Sequence, residues 1–267
     1  MQEEGEKVMY FVADGCSDSG RVREHNEDSL RIDSNRGLFV VADGMGGHAG
    51  GEIASRLAVE TVFKSLLGGQ EGKTTACNAE ALQAAIELAN TVIFQDAGAR
   101  PERTGMGTTL TIMCWDRCQF YFGHVGDSRA YRLRGPELVQ LTRDHTWVDM
   151  QVRAGVLSQK EAEHTGMRHI LIKSLGTQPG IEPDIVPVDV QAGDRFLLCS
   201  DGLTNLVAHH DLLTLLAAKG TPAKTSRHLV EKANAGGGSD NISAVVIDCY
   251  QSKWQSILKS VTNRIRR

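Results

Sequence analysis

Short blocks of apolar residues, broken by polar turns, open the chain. VMYFVAD, DSLRID and GLFVVAD each have strand length, and Ser34-Asn35-Arg36-Gly37 between the last two carries turn chemistry, so the pattern predicts a β-meander over residues 8–43. The period then changes. Residues 52–67 place Ile53, Leu57, Ala58, Val62, Leu66 and Leu67 on one face, and residues 80–94 do the same with Leu82, Ala85, Ile86, Ala89 and Ile93, which predicts two amphipathic helices joined by the loop GGQEGKTT. Strand patterns return in Thr108 to Trp115, QFYFGHVG, SRAYRLR and ELVQL. Residues 145–183 are mixed, polar and glycine-containing, and predict an excursion from the core with a helical piece near Thr146 to Ala154. IVPVDV, DRFLLCS and NISAVVIDCY read as strands, and 209–219 and 222–235 as helices. Strands, helix pair, strands, helix pair is the order of an α+β fold in which two mostly antiparallel sheets lie between two helical layers, a four-layer α-β-β-α sandwich.

Composition narrows the function. Of 267 residues 41% are hydrophobic and 23% charged, the usage of a globular chain with room for a full core. The net charge of -4 offers no overall basic footprint for nucleic acid. No apolar run approaches the roughly 18 residues that cross a bilayer. The acidic opening MQEEGEKVMYF has no basic leader ahead of an apolar run, so the expected location is the cytoplasm. Six scattered cysteines form no Cys-x-x-Cys pair and are expected to be reduced core thiols.

The candidate chemistry lies in the aspartates. Asp43 follows LFVVA, Asp127 follows FGHVG, Asp201 follows FLLCS, and Asp240 precedes ISAVVI. A carboxylate at the end of an apolar strand is poorly hydrated and needs a donor, a cation or a proton. Any single one reads first as a turn or capping residue. Four of them point to a shared cation site that only the fold can assemble. Carboxylates without cysteines or paired histidines favour hard ions, Mg²⁺ or Mn²⁺, over zinc. Two such ions sharing a carboxylate acidify a water for in-line attack on phosphorus. Arg23, in SDSGRVREHNEDS, has the planar fork to grip a phosphate, although it could instead pair with Glu27 or Asp28 on the surface.

Together with FVVADGMGGHAGGEIAS, GMGTTLT, GHVGDSRAYRL, LTRDHT, RFLLCSDGL and SDNISAVVI, that segment resembles the bacterial metal-dependent serine/threonine phosphatases, the PPM or type 2C family. The resemblance spans roughly residues 10–249 in the family's order. It implies hydrolysis of phosphoserine and phosphothreonine at a two-ion Mn²⁺ or Mg²⁺ site with a possible third ion, and phosphorylated proteins, a Ser/Thr kinase among them, as partners of a monomeric enzyme. By resemblance Asp43 bridges two ions, Gly44 offers its carbonyl to the second, and Asp201 and Asp240 complete the first. Asp127 joins Asp201 at a weaker third ion. Glu27, Asp28 and Asn241 orient metal-bound waters, Arg23 binds the phosphate, and His48 protonates the leaving oxygen; His48 also reads as a helix cap or a solvent-facing residue.

Other readings fit less well. A catalytically inactive scaffold that binds phosphorylated partners would be expected to lack one of Asp43, Asp201 or Asp240. GMGGHA after a strand satisfies the loose dinucleotide pattern, but Asp43 would face the pyrophosphate, and a second helix follows where a strand is required. GGQEGKT is one residue short of a phosphate loop. MRHILIKSLG departs from the Leu-Thr-Arg-Ala-Leu-Gly type of run in bacterial relatives. Beyond the resemblance, residues 251–267 place Trp254, Ile257, Leu258, Val261 and Ile265 on a helical stripe with five positive charges and no acid. That predicts a basic amphipathic helix, docked on the body or offered to an acidic partner or membrane surface.

Overall fold

The computed structural model describes residues 9–46, 50–68, 77–117, 119–167 and 169–251. The expected helix over 251–267, apart from Gln251, lies outside them, as do His48 and Cys118. Among the described residues, eleven strands and seven α-helices follow in order. β1 (Met9–Asp18), β2 (Asp28–Asp33) and β3 (Leu38–Met45) lead into α1 (Gly50–Leu67) and α2 (Ala79–Ala99). β4 (Gly107–Thr108), β5 (Leu110–Asp116), β6 (Gln119–Val125), β7 (Arg129–Arg134) and β8 (Glu137–Gln140) come next. The excursion carries α3 (Trp147–Arg153) and α4 (Gln159–His164). β9 (Asp184–Asp189), β10 (Arg195–Cys199), α5 (Asp201–Thr204), α6 (His209–Ala217), α7 (Pro222–Ala235) and β11 (Ile242–Gln251) complete the described residues.

All pairings are antiparallel. One sheet runs β1-β11-β10-β7-β8; the other runs β2-β3-β5-β6-β9, with β4 beside β3. The strands explain the layering, because side chains alternate between the two faces of a strand. In β3, Leu38, Val40 and Ala42 face α1 and α2 while Phe39 and Val41 face the other sheet. In β11, Ile242, Ala244 and Val246 face α6 and α7 while Val245, Ile247 and Cys249 point inward. Three separate cores result, one between each pair of neighbouring layers, and the inter-sheet core is built on Phe11, Phe39, Phe120, Phe122 and Phe196. The four-layer α-β-β-α sandwich is as expected.

Local differences have physical causes. The Thr108 to Trp115 strand breaks at Thr109, whose N–H donates to the Asp43 carbonyl while its hydroxyl serves the site described below. In α1 the buried face is Ala54, Ala58, Val59, Val62, Phe63 and Leu66; Ile53, Leu57 and Leu67, expected on that face, flank it half-buried. The six-reduced-thiol expectation is corrected. Cys77, one residue before the Asn78 cap of α2, is disulfide-bonded to Cys114 on β5, with Cα atoms 6.0 Å apart, because the start of α2 and the end of β5 meet in the same buried core. Cys16, Cys199 and Cys249 are free thiols.

Candidate active site

Strand ends deliver the acidic residues to one open end of the sandwich. In the β2–β3 register Asp28 stands directly opposite Asp43. Two carboxylates facing each other across a ladder repel, so a sheet accepts the pair only where something positive offsets it. Asp127 lies in the β6–β7 turn, Asp201 starts α5 directly after β10, and Asp240 precedes β11. Asp43, Asp127, Asp201 and Asp240 line one cleft together with Arg23 and Glu27.

The electrostatics report the same convergence. Burial, and then the charges of Asp28, Asp201, Asp127 and Asp240, push the Asp43 carboxyl well above the usual carboxylate range. Burial raises Asp28 to about 7 against the opposing hydrogen bonds of Ser243 and Ser200. Burial, followed by the charge of Asp201, raises Asp127 to about 7. Two buried carboxylate oxygens, Glu27 Oε1 and Asp28 Oδ1, have no hydrogen-bond partner among the described residues. Crowded acids with orphaned oxygens are the chemistry of a cation site. Among the described residues no three His, Cys, Asp or Glu side chains close around a single point.

Much of the neighbouring polarity is scaffolding. Thr109 Oγ1 accepts the Asp43 N–H at 2.9 Å and lies 2.7 Å from Ser128 Oγ, tying the bridging candidate to the turn that bears Asp127. Ser200 Oγ donates to Asp28 Oδ2 at 2.7 Å and accepts the Ser243 N–H. Asn205 Nδ2 donates to Asp201 Oδ2 at 3.0 Å. Asn241 Oδ1 accepts the Glu27 N–H, and its amide donates to the Ser19 and His25 carbonyls, so it braces the Arg23-bearing loop. Its structural contacts are thus to backbone. Gly44 cannot carry a side chain: a Cβ would run into the Gly51 carbonyl and the Glu27 oxygen.

Arg23, expected to bind phosphate, does not make the rival surface pairing with Glu27 or Asp28. Its guanidinium instead donates to Asp240 Oδ2 at 2.9 Å, since the loop braced by Asn241 carries it across to the start of β11. The pair is half-exposed and so weakly held. His48 lies outside the described residues. Sequence reasoning missed Thr109, Ser200, Asn205 and His169. His169, on the excursion, lines the cleft with Nδ1 3.8 Å from Asp201 Oδ2. Thr109 and Ser200 did stand inside quoted motifs, GMGTTLT and RFLLCSDGL, as the polar residues beside the strand ends.

The family model described as protein phosphatase 2C matches residues 17–232. The chain belongs to the protein phosphatase 2C family. Among curated members, the serine/threonine phosphatase stp of Listeria monocytogenes is 37% identical over 240 residues, covering 87% of this chain and 93% of that protein. The serine/threonine protein phosphatase PstP of Mycobacterium tuberculosis is 38% identical over 232 residues, covering 87% of this chain and 44% of its own length. A crystal structure of the PstP catalytic domain in complex with two manganese ions superposes with a TM-score of 0.80 at 36% identity, over 91% of this chain and 100% of that one. Protein phosphatase 2C enzymes are thus similar to this chain in sequence, in layer order and across the cleft-bearing region.

Proposed function

We propose that the chain hydrolyses phosphoserine and phosphothreonine esters on proteins at an Mn²⁺ or Mg²⁺ site in the acidic cleft. The observation that carries this reading is the convergence of Asp28, Asp43, Asp127, Asp201 and Asp240, from five separate parts of the fold, with the Arg23 guanidinium beside them. Asp43 with Gly44, Asp201 and Asp240 would hold two ions, and Asp127 with Asp201 a weaker third. When bound, such ions supply an acidified water as nucleophile and neutralise the phosphate's charge.

The chain's own side chains do the rest. Arg23 exchanges its exposed Asp240 partner for phosphate oxygens, a bidentate contact that orients the ester. Glu27 Oε1 and Asp28 Oδ1, buried without donors, add negative charge beside the cleft that a bound cation would offset. Asn241 holds the loop of Arg23 in register. His48 is assigned proton delivery to the leaving oxygen on its motif alone.

Residues 1–250 form the catalytic unit in this reading, and the basic stretch 251–267 an appended helix. Residues 145–183 select among protein substrates more than they affect metal binding. Phosphorylated proteins, a Ser/Thr kinase and its targets among them, are the partners of a monomer acting in the cytoplasm. No observation favours the inactive scaffold, since Asp43, Asp201 and Asp240 are all present. The test is turnover of p-nitrophenyl phosphate with Mn²⁺ or Mg²⁺: activity abolished by Asp43→Asn supports the reading, and inactivity of the purified wild type with either ion would falsify it.

A further inference from the structure

Early in the excursion, residues 145–147 pair with residues 170–172. His145 accepts the Ile172 N–H through its carbonyl at 2.8 Å, Thr146 bridges Leu171, and Trp147 N–H donates to the Ile170 carbonyl. Residues 145–147 and 170–172 of the excursion are therefore clamped together at His145 and Thr146. His145 also grips the β6–β7 turn twice. Its backbone N–H donates to the Gly126 carbonyl at 2.8 Å, and the Gly126 N–H donates back to His145 Nδ1 at 3.0 Å.

A ring nitrogen that accepts an amide proton carries none, so the imidazole is the neutral tautomer with its proton on Nε2. That nitrogen lies 3.3 Å from Asp184 Oδ2, whose other oxygen is 3.9 Å from Lys173 Nζ. The ring is buried and stacks on His124 with centroids 5.0 Å apart. Gly126 has φ +106°, and a Cβ there would lie 2.6 Å from Thr109 side-chain atoms, so the turn is wedged between Thr109 and His145. Asp127 is the next residue and lines the cleft.

Resting on the metal-dependent reading above, we propose that His145 is a positioning residue: through the Gly126 N–H its Nδ1 fixes the turn that aims Asp127, and so ties the clamped start of the 145–183 excursion to the weaker ion site. The bond requires an acceptor at one position, which makes it separable from packing. Asparagine places Oδ1 at the reach of Nδ1, whereas glutamine places its amide at the reach of Nε2.

Calorimetric titration of the metal-free full-length protein with Mn²⁺, for the wild type and for His145→Ala, His145→Gln and His145→Asn, tests this. The expected result is at least a tenfold loss of affinity in the weakest Mn²⁺ step for the Ala and Gln variants, tighter steps within twofold of wild type, and recovery in the Asn variant to within threefold. Equal losses in Asn and Ala variants, or no loss in any, overturn the proposal. If the variants do not fold, a scalar coupling across the hydrogen bond from the Gly126 amide to His145 Nδ1 in the Mg²⁺-loaded wild type is the second measurement; its presence supports the proposal and its absence overturns it. A wild type with no Mn²⁺ step at all overturns the metal-dependent reading, and this proposal with it, before any variant is compared.

Discussion

Asp28 allows the charge crowding to be measured apart from catalysis. It is buried opposite Asp43, with one oxygen bound by Ser200 and the other orphaned, and its carboxyl is raised to about 7. A group whose folded-state pKa is raised binds its proton more tightly in the native chain, so the stability it contributes is complete below the unfolded value near 3.8 and is lost as pH rises through about 7. A three-unit rise corresponds to roughly 4 kcal/mol across that window in metal-free protein. Asparagine at position 28 keeps an acceptor for Ser200 and cannot ionise. The raw pH profile is a poor readout, because His124 slopes the other way over part of the same range. The difference between wild type and Asp28→Asn removes that background. Urea unfolding of both proteins in chelator at pH 4, 5, 6, 7 and 8 should show the variant gaining about 4 kcal/mol relative to wild type between the ends of the series. Saturating Mn²⁺ should shrink the gain. A difference that stays flat with pH refutes the argument that these acids are held together against their own repulsion.

Further expectations concern single positions. Burial, then the neighbouring His145, lowers His124 to about 4, so it contributes stability above pH 6.5 that is lost as pH falls toward 4, about 3 kcal/mol in all; His124→Gln should flatten that acid limb in denaturant titrations. Gly44→Ala should destabilise by about 2–3 kcal/mol, since the added methyl meets backbone from Gly51 and Glu27; thermal melts compared with a conservative surface variant check this. Arg23→Ala should lower kcat/KM on a phosphopeptide by roughly ten- to a hundredfold, the worth of charge-assisted hydrogen bonds, while Mn²⁺-induced stabilisation stays near that of wild type. Loss of Mn²⁺ stabilisation in that variant would show that Arg23 serves the metal site instead of the substrate.

How legible this was depended on whether a feature was local. β2 and α7 fall on the residues their period predicts, and β3, β10 and β11 differ by a residue or two at their ends, because fully apolar strands flanked by acids or glycine have few alternatives. The four strand-end aspartates were visible for the same reason. What pairs them was not. The Asp28–Asp43 opposition depends on register, and the Arg23–Asp240 contact joins residues 217 positions apart. The break at Thr109 also escaped, since GTTLT reads as one strand until Asp43 claims its hydroxyl. The α1 stripe drifted because Ala54, Ala58 and Val59 are small enough to pack closely against β3, turning the larger Ile53 and Leu57 aside. α4 rests on a Ser158–Glu161 capping box in a segment with little apolar periodicity, so its start signal outweighs its stripe. The Cys77–Cys114 pairing needed the start of α2 and the end of β5 to meet in one core, which no spacing in the chain announces.

The most direct test of the account is anomalous diffraction at the manganese edge from crystals of the full chain grown with Mn²⁺. The account predicts two strong peaks sharing an Asp43 oxygen, with Asp201 and Asp240 on one of them and a weaker peak near Asp127. Peaks elsewhere, or none at the cleft with Asp43 still facing Asp28 unliganded, would contradict it.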